Sequence, residues 1–259
     1  MQRMGVDVIA VNTVQFSNHL GYGRHRGQVY SGEDISELVL GLDEIGALVD
    51  CAGVLSGYIG DAVIGSAVLD AVRRVRAARP DALYCCDPVI GDIDSGVFVR
   101  PGIPEFMRDQ AITAADIVTP NMFELQYLSG HAVHSRRDLL EAMTAIHALG
   151  PRLVLATSVR LDETPADAID VALLADGVLM RVRTPLLELG INGAGDAIAA
   201  LFLTHLLQNG SPEGALAHAA AATYGLLKQT ADAGAREILL IDAQDEFVRP
   251  SHRFTVEVL

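Results

Sequence analysis

The segment ALYCCDPVIGD, residues 82–92, gives the clearest indication of architecture, because a short apolar stretch leads into a loop carrying two carboxylates. A helix-period segment precedes it at Asp61–Arg79, and another follows at Pro104–Ala114. Short apolar segments alternating with longer helical ones are typical of a layered α/β protein with a mostly parallel sheet. Ligands of such sheets bind at the carboxyl ends of the strands, where Asp87 and Asp92 would lie.

The same alternation continues along the whole chain. The expected strands are Val6–Val11, Gly53–Ser56, Ala82–Cys86, Asp116–Thr119, Leu153–Ala156, Val171–Ala175 and Val178–Arg183. The expected helices are Asp34–Val49, Asp61–Arg79, Pro104–Ala114, Met122–Ser129, Ser135–Leu149, Ala194–Gln208 and Pro212–Thr230. The tail Phe254–Val258 alternates like a closing strand. No repeat and no linker rich in Gly, Pro or Ser divides the chain, which predicts a single domain over residues 1–259.

The composition is that of an acidic globular protein. Half of the 259 residues are hydrophobic, the formal net charge is −14 and the pI is about 4.8. This charge argues against nucleic acid or an anionic membrane as a partner, because both require a basic surface. No apolar run reaches the ~18 residues of a membrane span, and no secretion signal is recognisable, so we expect a cytoplasmic protein.

Lysine is nearly absent, since Lys228 is the only lysine among 19 basic residues. P-loop enzymes, protein kinases and Schiff-base enzymes each need a lysine at a defined position. Lys228 lies in a predicted helix, outside any glycine-rich loop. The sequence therefore disfavours all three classes.

The sequence NGAGD, residues 192–196, is the strongest local motif, and an almost wholly apolar helix follows it. Small residues let backbone N–H groups approach a ligand, and a helix N-terminus carries about half a positive charge, so this turn is a candidate anion site. Asp196 beside such a site could take a proton from a hydroxyl that attacks a bound phosphate. The alternative is a glycine-rich turn in which Asp196 only complements the helix dipole.

Two further motifs place carboxylates after predicted strands. In CDPVIGD, residues 86–92, Asp87 and Asp92 offer the hard oxygen ligands of a Mg·nucleotide site, although Asp-Pro and Gly-Asp also favour turns. In TPNMFE, residues 119–124, Asn121 and Glu124 have the spacing of a capping box. A functional Glu124 would instead bind a metal-coordinated water.

The segment GYGRHRGQVY, residues 21–30, contains several glycines but does not have dinucleotide-binding spacing. Its basic residues precede a strand-like segment rather than opening a helix. We therefore predict a flap or hairpin here.

In chain order, the motifs FSNH (16–19), LSGY (55–58), CDPV and GD (86–92), TPN and FE (119–124), ATS (156–158) and NGAGD (192–196) resemble those of the pyridoxal kinases of the ribokinase-like superfamily. The resemblance covers nearly the whole chain. It implies a central sheet flanked by helices, transfer of phosphate from ATP to the 5′-hydroxymethyl group of pyridoxal, and a homodimer.

The same resemblance implies roles for individual residues. Asp196 corresponds to the catalytic base, and Gly193, Ala194 and Gly195 correspond to the anion hole for the transferring phosphoryl group. The implied ATP-binding residues are Asp92, Thr119, Asn121, Glu124, Thr157 and Ser158. The implied substrate-binding residues are Tyr58, against the pyridine ring, His19 and Asp196.

The resemblance also implies metal ions as cofactors. Asp92 and Glu124 correspond to residues that hold Mg²⁺ and its waters, and Asp87, Thr119 and Thr157 to the neighbourhood of a monovalent cation such as K⁺.

Two features depart from the family pattern. Its members normally carry an upstream strand and a turn containing Ser and Gly, so the domain is expected to be N-terminally shortened, with weakened pyridoxal binding. Leu20 stands where the family often has Thr, which would remove one polar substrate contact. Two alternatives stay open: a kinase of hydroxymethylpyrimidine or another small alcohol, and a non-catalytic protein that binds vitamin B6 or a nucleotide.

Overall fold

A sheet of seven strands forms the centre of the protein, whose computed structural model describes residues 1–259. Its strands and those of two small hairpins are β1 (Val14–Phe16), β2 (Gly27–Val29), β3 (Gly53–Ser56), β4 (Leu83–Cys86), β5 (Gly91–Asp92), β6 (Gly96–Val97), β7 (Ile117–Val118), β8 (Leu153–Val159), β9 (Ala168–Ala175), β10 (Val178–Pro185) and β11 (Val256–Val258). Across the central sheet the order is β11, β10, β9, β8, β7, β4, β3.

The sheet is parallel on one side and antiparallel on the other. Strands β3, β4, β7 and β8 pair in parallel, whereas β8 to β11 pair antiparallel in succession. Strand β10 therefore runs in the direction of β8, so five of the seven strands share one direction. The carboxyl ends of the four parallel strands meet at one edge, which is the expected position of a ligand site.

Helices cover both faces of this sheet. They are α1 (Gly32–Glu44), α2 (Ala62–Ala78), α3 (Ile103–Phe106), α4 (Ile112–Ala114), α5 (Met122–Ser129), α6 (Arg136–His147), α7 (Ala194–Asn209) and α8 (Pro212–Asp232). A π-helical turn, Met107–Ala111, joins α3 to α4. Side-chain caps define several starts: Ser31 and Asp34 form a capping box at α1.

The buried apolar side chains form two clusters, one on each face of the central sheet. Helices α1 to α6 pack one apolar cluster against one face of the sheet, and α7 and α8 pack a second cluster against the other face. In β4, the buried Tyr84 and Cys86 join the first cluster, whereas Cys85 between them joins the second. This alternation follows from the two-residue period of a strand.

The sequence predicts most elements to within a few residues, and the expected mostly parallel sheet with flanking helices is confirmed. The closing strand is confirmed as β11, which pairs with β10. The flap expected at residues 21–30 is the distal part of the antiparallel hairpin formed by β1 and β2. No helix of this structure is long and apolar enough to cross a membrane.

The prediction of a strand at Val6–Val11 is wrong, because the structure has no strand there. Residues 7–12 make no backbone hydrogen bond, and the side chains of Val8 and Ile9 are 39% and 48% exposed. An alternating apolar pattern indicates strand propensity, but a strand also needs a neighbouring edge within hydrogen-bond reach. The pairing in this region begins only at β1, whose partner is β2.

Gly65 in α2 provides a test of the packing between helices. A Cβ atom at Gly65 would lie 2.3 to 2.6 Å from three ring atoms of the buried Phe106, whereas nothing lies within 4 Å of a Cβ at the exposed Gly41 in α1. At an exposed position inside a helix, alanine stabilises the helix by about 0.5 to 1 kcal/mol relative to glycine. Gly41→Ala should therefore raise the free energy of unfolding, whereas Gly65→Ala should lower it by about 1 to 3 kcal/mol. Urea unfolding of both variants measures the difference, and an equal gain in both would contradict this packing.

Candidate active site

A cavity of about 740 Å³ opens at the carboxyl ends of the parallel strands. Its walls come from the loops after β3, β4, β7 and β8, from the start of α7 and from the β1–β2 hairpin. The order of the strands therefore places segments that are far apart in sequence around one space.

The turn before α7 forms one end of the cavity. Gly193 has φ of 94°, a left-handed conformation that glycine adopts without strain. The N–H groups of Ala194, Gly195 and Asp196 have no acceptor within the protein, as expected for the first turn of a helix. They are available to an anion at this end of the cavity.

Asp196 stands free beside these N–H groups. Its side chain is exposed and makes no hydrogen bond or ion pair. A Cβ at Gly57, just after β3, would lie 3.8 Å from Asp196 Oδ1, so the chain after β3 passes close to this carboxylate. Such an unpaired carboxylate can accept a proton from a hydroxyl group placed next to it.

Glu124 is held in the opposite way. Its carboxylate is 4% exposed and accepts three backbone N–H groups, from Ile90 at 2.9 Å, Gly91 at 3.4 Å and Asn121 at 2.9 Å. Asn121 Oδ1 accepts the N–H of Glu124 at 2.9 Å in return, so the capping box is present. Burial raises the pKa of Glu124 to about 7, although the three N–H groups oppose the shift.

Asp87 is the second buried carboxylate. Its Oδ1 accepts the hydroxyl of Thr119 at 2.9 Å. Burial, with the charges of Glu124 and Asp196, raises the pKa of Asp87 to about 8. The site therefore holds Asp87 and Glu124 at positions where negative charge is not compensated by the protein.

Asp92 lies on the β5–β6 hairpin. Its Oδ1 accepts the N–H groups of Asp94 at 3.0 Å and Ser95 at 2.6 Å, which closes the turn, while Oδ2 remains free of protein donors. The hairpin is docked on α5 because Asn121 Nδ2 donates to the carbonyl of Gly91 at 2.8 Å. One carboxylate oxygen of Asp92 thus stabilises the turn, and the other remains available to a cation.

Thr157 and Ser158 lie where β8 bulges. The N–H of Thr157 donates to the carbonyl of Pro120 at 2.9 Å, and the register of β8 against β9 shifts between Ala156 and Val159. Ser158 has φ of 55°, a conformation that costs a non-glycine residue energy. The bulge re-aims Thr157 into the cavity wall.

Apolar side chains also line the cavity. Its apolar lining consists of Val14, Phe16, Leu20, Tyr58, Val89 and Phe98. Burial raises the pKa of Tyr58, although the charge of Arg100 opposes this. His19 Nδ1 accepts the N–H of Gly21 at 3.0 Å, so neutral His19 carries its proton on Nε2.

The structure gathers most of the residues that the sequence singled out. The cavity is lined by His19, Tyr58, Asp87, Asp92, Thr119, Asn121, Glu124, Thr157, Gly193, Gly195 and Asp196. Ala194 and Ser158 do not line the cavity and adjoin residues that do. Sequence reasoning missed Phe16, Ser95, Phe98 and Asn192, which also line it. Phe16 and Asn192 lie within quoted motifs but had no role assigned, whereas Ser95 and Phe98 lie a few residues after Asp92.

The charged side chains of the cavity are nearly all acidic. Asp87, Asp92, Glu124 and Asp196 line it, and no lysine or arginine does. Carboxylate and hydroxyl oxygens are the donors that Mg²⁺ and K⁺ prefer, and a cation would relieve the repulsion between these groups. No group of three or more His, Cys, Asp or Glu side chains converges on one point, so a metal ion here would take its remaining ligands from water and phosphate oxygens.

Comparisons with known proteins agree with this geometry. Residues 42–240 match the family model described as phosphomethylpyrimidine kinase. The chain is 52% identical to the pyridoxal kinase PdxY of Granulibacter bethesdensis, with 100% of this chain and 92% of that protein aligned. It is 51% identical to the PdxY of Rubrobacter xylanophilus, over 99% of this chain and 89% of the relative.

A solved structure of similar fold is the pyridoxal kinase of Leishmania donovani in complex with ADP and pyridoxine. It superposes with a TM-score of 0.91 at 30% identity, covering 100% of this chain and 91% of that one. The chain therefore belongs to the pyridoxal kinase family. The family expected from the ordered motifs, and the ribokinase-like fold that it implied, are confirmed.

The buried carboxylates predict an unusual pH dependence of stability. The folded state raises the pKa of Asp87 from 3.8 to about 8, so it binds this proton more tightly than the unfolded chain does. The contribution of Asp87 to stability is therefore fully present below its ordinary pKa of 3.8 and is lost as pH rises toward 8, by on the order of a few kcal/mol without added cations. Asp87→Asn, which keeps the acceptor for Thr119, should make this fall smaller.

Urea unfolding over that pH range, in a buffer free of divalent ions and K⁺, measures the effect. Asp81→Asn is the control, because Asp81 is exposed and precedes the amino end of β4, opposite the cavity. An unchanged pH dependence in Asp87→Asn would show that this proton is not linked to folding.

Proposed function

We propose that this chain transfers the γ-phosphoryl group of ATP to the 5′-hydroxymethyl group of pyridoxal, a step of vitamin B6 salvage. One observation carries the proposal: the free carboxylate of Asp196 adjoins three unpaired N–H groups at a cavity that apolar side chains also line. A hydroxyl group and a phosphate can meet at that point, and an aromatic ring can pack against the apolar side chains. Membership of the pyridoxal kinase family supports the choice of substrate.

The chemistry follows from this arrangement. Asp196 accepts the proton of the substrate hydroxyl as its oxygen forms a bond to the γ-phosphorus, while the bond from that phosphorus to the bridging oxygen breaks and ADP leaves. The N–H groups of Ala194, Gly195 and Asp196 stabilise the oxygens of the group in transit. Their positions are fixed by α7, so little reorganisation is needed.

The apolar wall and His19 orient the alcohol substrate. Tyr58 packs against the pyridine ring, and the Nε2–H group of His19 offers one donor to a polar ring substituent. Leu20 lines the same wall, which makes it apolar where the family often has Thr. This chain therefore holds the ring with fewer polar contacts.

We assign metal ions and the nucleotide to the carboxylates of the cavity and their neighbours. Asp92, through its free oxygen, and Glu124, through water, hold Mg²⁺, which when bound neutralises charge on the phosphates. Asp87, Thr119 and Thr157 form the place of a monovalent cation such as K⁺. Asn121 and Ser158 contact the nucleotide.

The wider setting is also part of the proposal. The protein acts as one kinase domain in the cytoplasm, where ATP is available, and has no nucleic acid or membrane partner. It forms a homodimer, for which the exposed apolar side chains of Leu38, Ile45 and Val49 offer a surface.

A second candidate substrate is hydroxymethylpyrimidine. The family model that matches residues 42–240 carries the description phosphomethylpyrimidine kinase, which favours this substrate class. Both substrates are primary alcohols on a six-membered nitrogen heterocycle, so the same proton transfer serves both.

An assay of ADP release distinguishes these substrates. With Mg·ATP, we expect kcat/KM for pyridoxal to exceed that for hydroxymethylpyrimidine by at least ~10-fold, because loss of matched ring contacts costs that much or more. Pyridoxine and pyridoxamine complete the series. A higher kcat/KM with hydroxymethylpyrimidine would favour the second candidate, and no ADP release with any of them would reject kinase activity.

Asp196→Asn tests the assigned base. The amide keeps the shape of the side chain but cannot accept the proton, so turnover should fall ~10² to 10⁴-fold. Binding of Mg·ATP, measured by calorimetry, should be nearly unchanged. Asp81→Asn is again the control and should keep wild-type turnover. An Asp196→Asn enzyme with more than about a tenth of the wild-type rate would remove Asp196 from this role.

A further inference from the structure

The cavity lacks the positive charge that a polyphosphate needs. Its wall carries four carboxylates and no lysine or arginine, and the whole chain has a net charge of −14. A nucleotide with a triphosphate must approach this acidic surface before the short-range N–H groups of α7 can act. Coulombic repulsion of like charges opposes that approach over about 10 Å at ordinary ionic strength.

The flap carries cations that the protein does not use internally. Of the chain's 18 arginines, ten form ion pairs, and Arg24 and Arg26 are not among them. Both are exposed, and their side chains make no hydrogen bond. Eight of the 18 arginines form no ion pair, and Arg24 and Arg26 place two of these on one short loop.

The backbone of these residues is nevertheless firmly placed. Asn18 Nδ2 donates to the carbonyl of Arg24 at 3.0 Å, and Ser17 exchanges hydrogen bonds with the backbone of Arg26, at 2.8 Å and 3.0 Å. Between them, the ring of His25 lies 4.5 Å from that of Phe16, which lines the cavity. The backbone of both arginines is thus held on the hairpin that also contributes Phe16 to the cavity lining, while their side chains remain unpaired and exposed.

A second loop brings another free cation next to the flap. Tyr22 of the flap donates a hydrogen bond to Glu237 Oε1 at 2.5 Å, and Arg236 lies next to it, close enough for its charge to oppose the rise in the pKa of Tyr22. Ile238, one residue further, lies 3.6 Å from a Cβ position at Gly193. The engaged Glu237 offsets one of the three arginine charges, so these four side chains together carry a net charge of about +2.

We propose that Arg24, Arg26 and Arg236 form a cationic rim that attracts the triphosphate of Mg·ATP into the otherwise acidic cavity. The proposal rests on the proposed kinase function and adds a determinant of nucleotide affinity. The rim acts through long-range attraction, so its effect depends on charge and on ionic strength, not on one hydrogen-bond geometry. A ligand without net charge is not attracted.

The test compares nucleotide affinity of variants by calorimetry with Mg·AMP-PNP, a non-hydrolysable analogue. Arg24→Gln/Arg26→Gln should raise Kd about three- to ten-fold at low ionic strength, and less than about two-fold at high ionic strength, because salt screens the attraction. Tetramethylammonium chloride sets the ionic strength, so that the K⁺ supply stays constant. The pyridoxal KM should change less than about two-fold, since pyridoxal lacks the charge of the triphosphate.

Two control variants distinguish an effect of the rim from an effect of the total charge of the protein and from an effect of altered local structure. Arg152→Glu changes the charge by the same two units, but Arg152 is exposed and precedes the amino end of β8, about 16 Å of strand from Thr157. It should leave Kd nearly unchanged. Arg24→Lys/Arg26→Lys keeps the charge and should keep wild-type affinity.

Wild-type affinity of the glutamine variant at low ionic strength would overturn the proposal. An equal loss in Arg152→Glu, or a loss that salt does not reduce, would also overturn it. Those results concern the rim alone, because the wild-type protein would still bind nucleotide and turn over pyridoxal. Failure of the wild type to bind Mg·AMP-PNP would reject the kinase function together with the rim.

Discussion

The carboxylate of Glu124 is the interaction on which the site depends. It accepts N–H groups from Ile90 and Gly91 after β4 and from Asn121 after β7, so one buried side chain joins the loops of two neighbouring strands. Since buried N–H groups need acceptors, no apolar residue could replace it. The hairpin that carries Asp92 is held in place through this junction.

This junction has an electrostatic cost that defines the chemistry of the site. Burial raises the pKa of both Glu124 and Asp87, the charge of Glu124 raises the pKa of Asp87 further, and no lysine or arginine lines the cavity to offset them. A protein that needed only a stable core would pair or remove these carboxylates. Their presence agrees with the proposed function, in which metal ions and a nucleotide would supply the missing positive charge.

The lining of the cavity comes from two parts of the fold. Phe16 and Leu20 belong to the β1–β2 hairpin, which is outside the central sheet, whereas Asp87, Asp92 and Glu124 follow its parallel strands. The apolar contacts from the hairpin can therefore vary while these carboxylates stay on the sheet. The exposed Asp196 comes from a third place, the start of α7.

The sequence by itself determined the alternation of elements, the two-sided burial of β4, the helix caps and the NGAGD turn, because these depend on residues close together in the chain. Ordered motifs also indicated which residues meet. Tertiary structure alone decided that Val6–Val11 pairs with no strand, that Glu124 binds the loop after β4, and that Phe98 lines the cavity. Those outcomes depend on which edges and loops come within a few ångströms, and strand order sets this, not local propensity.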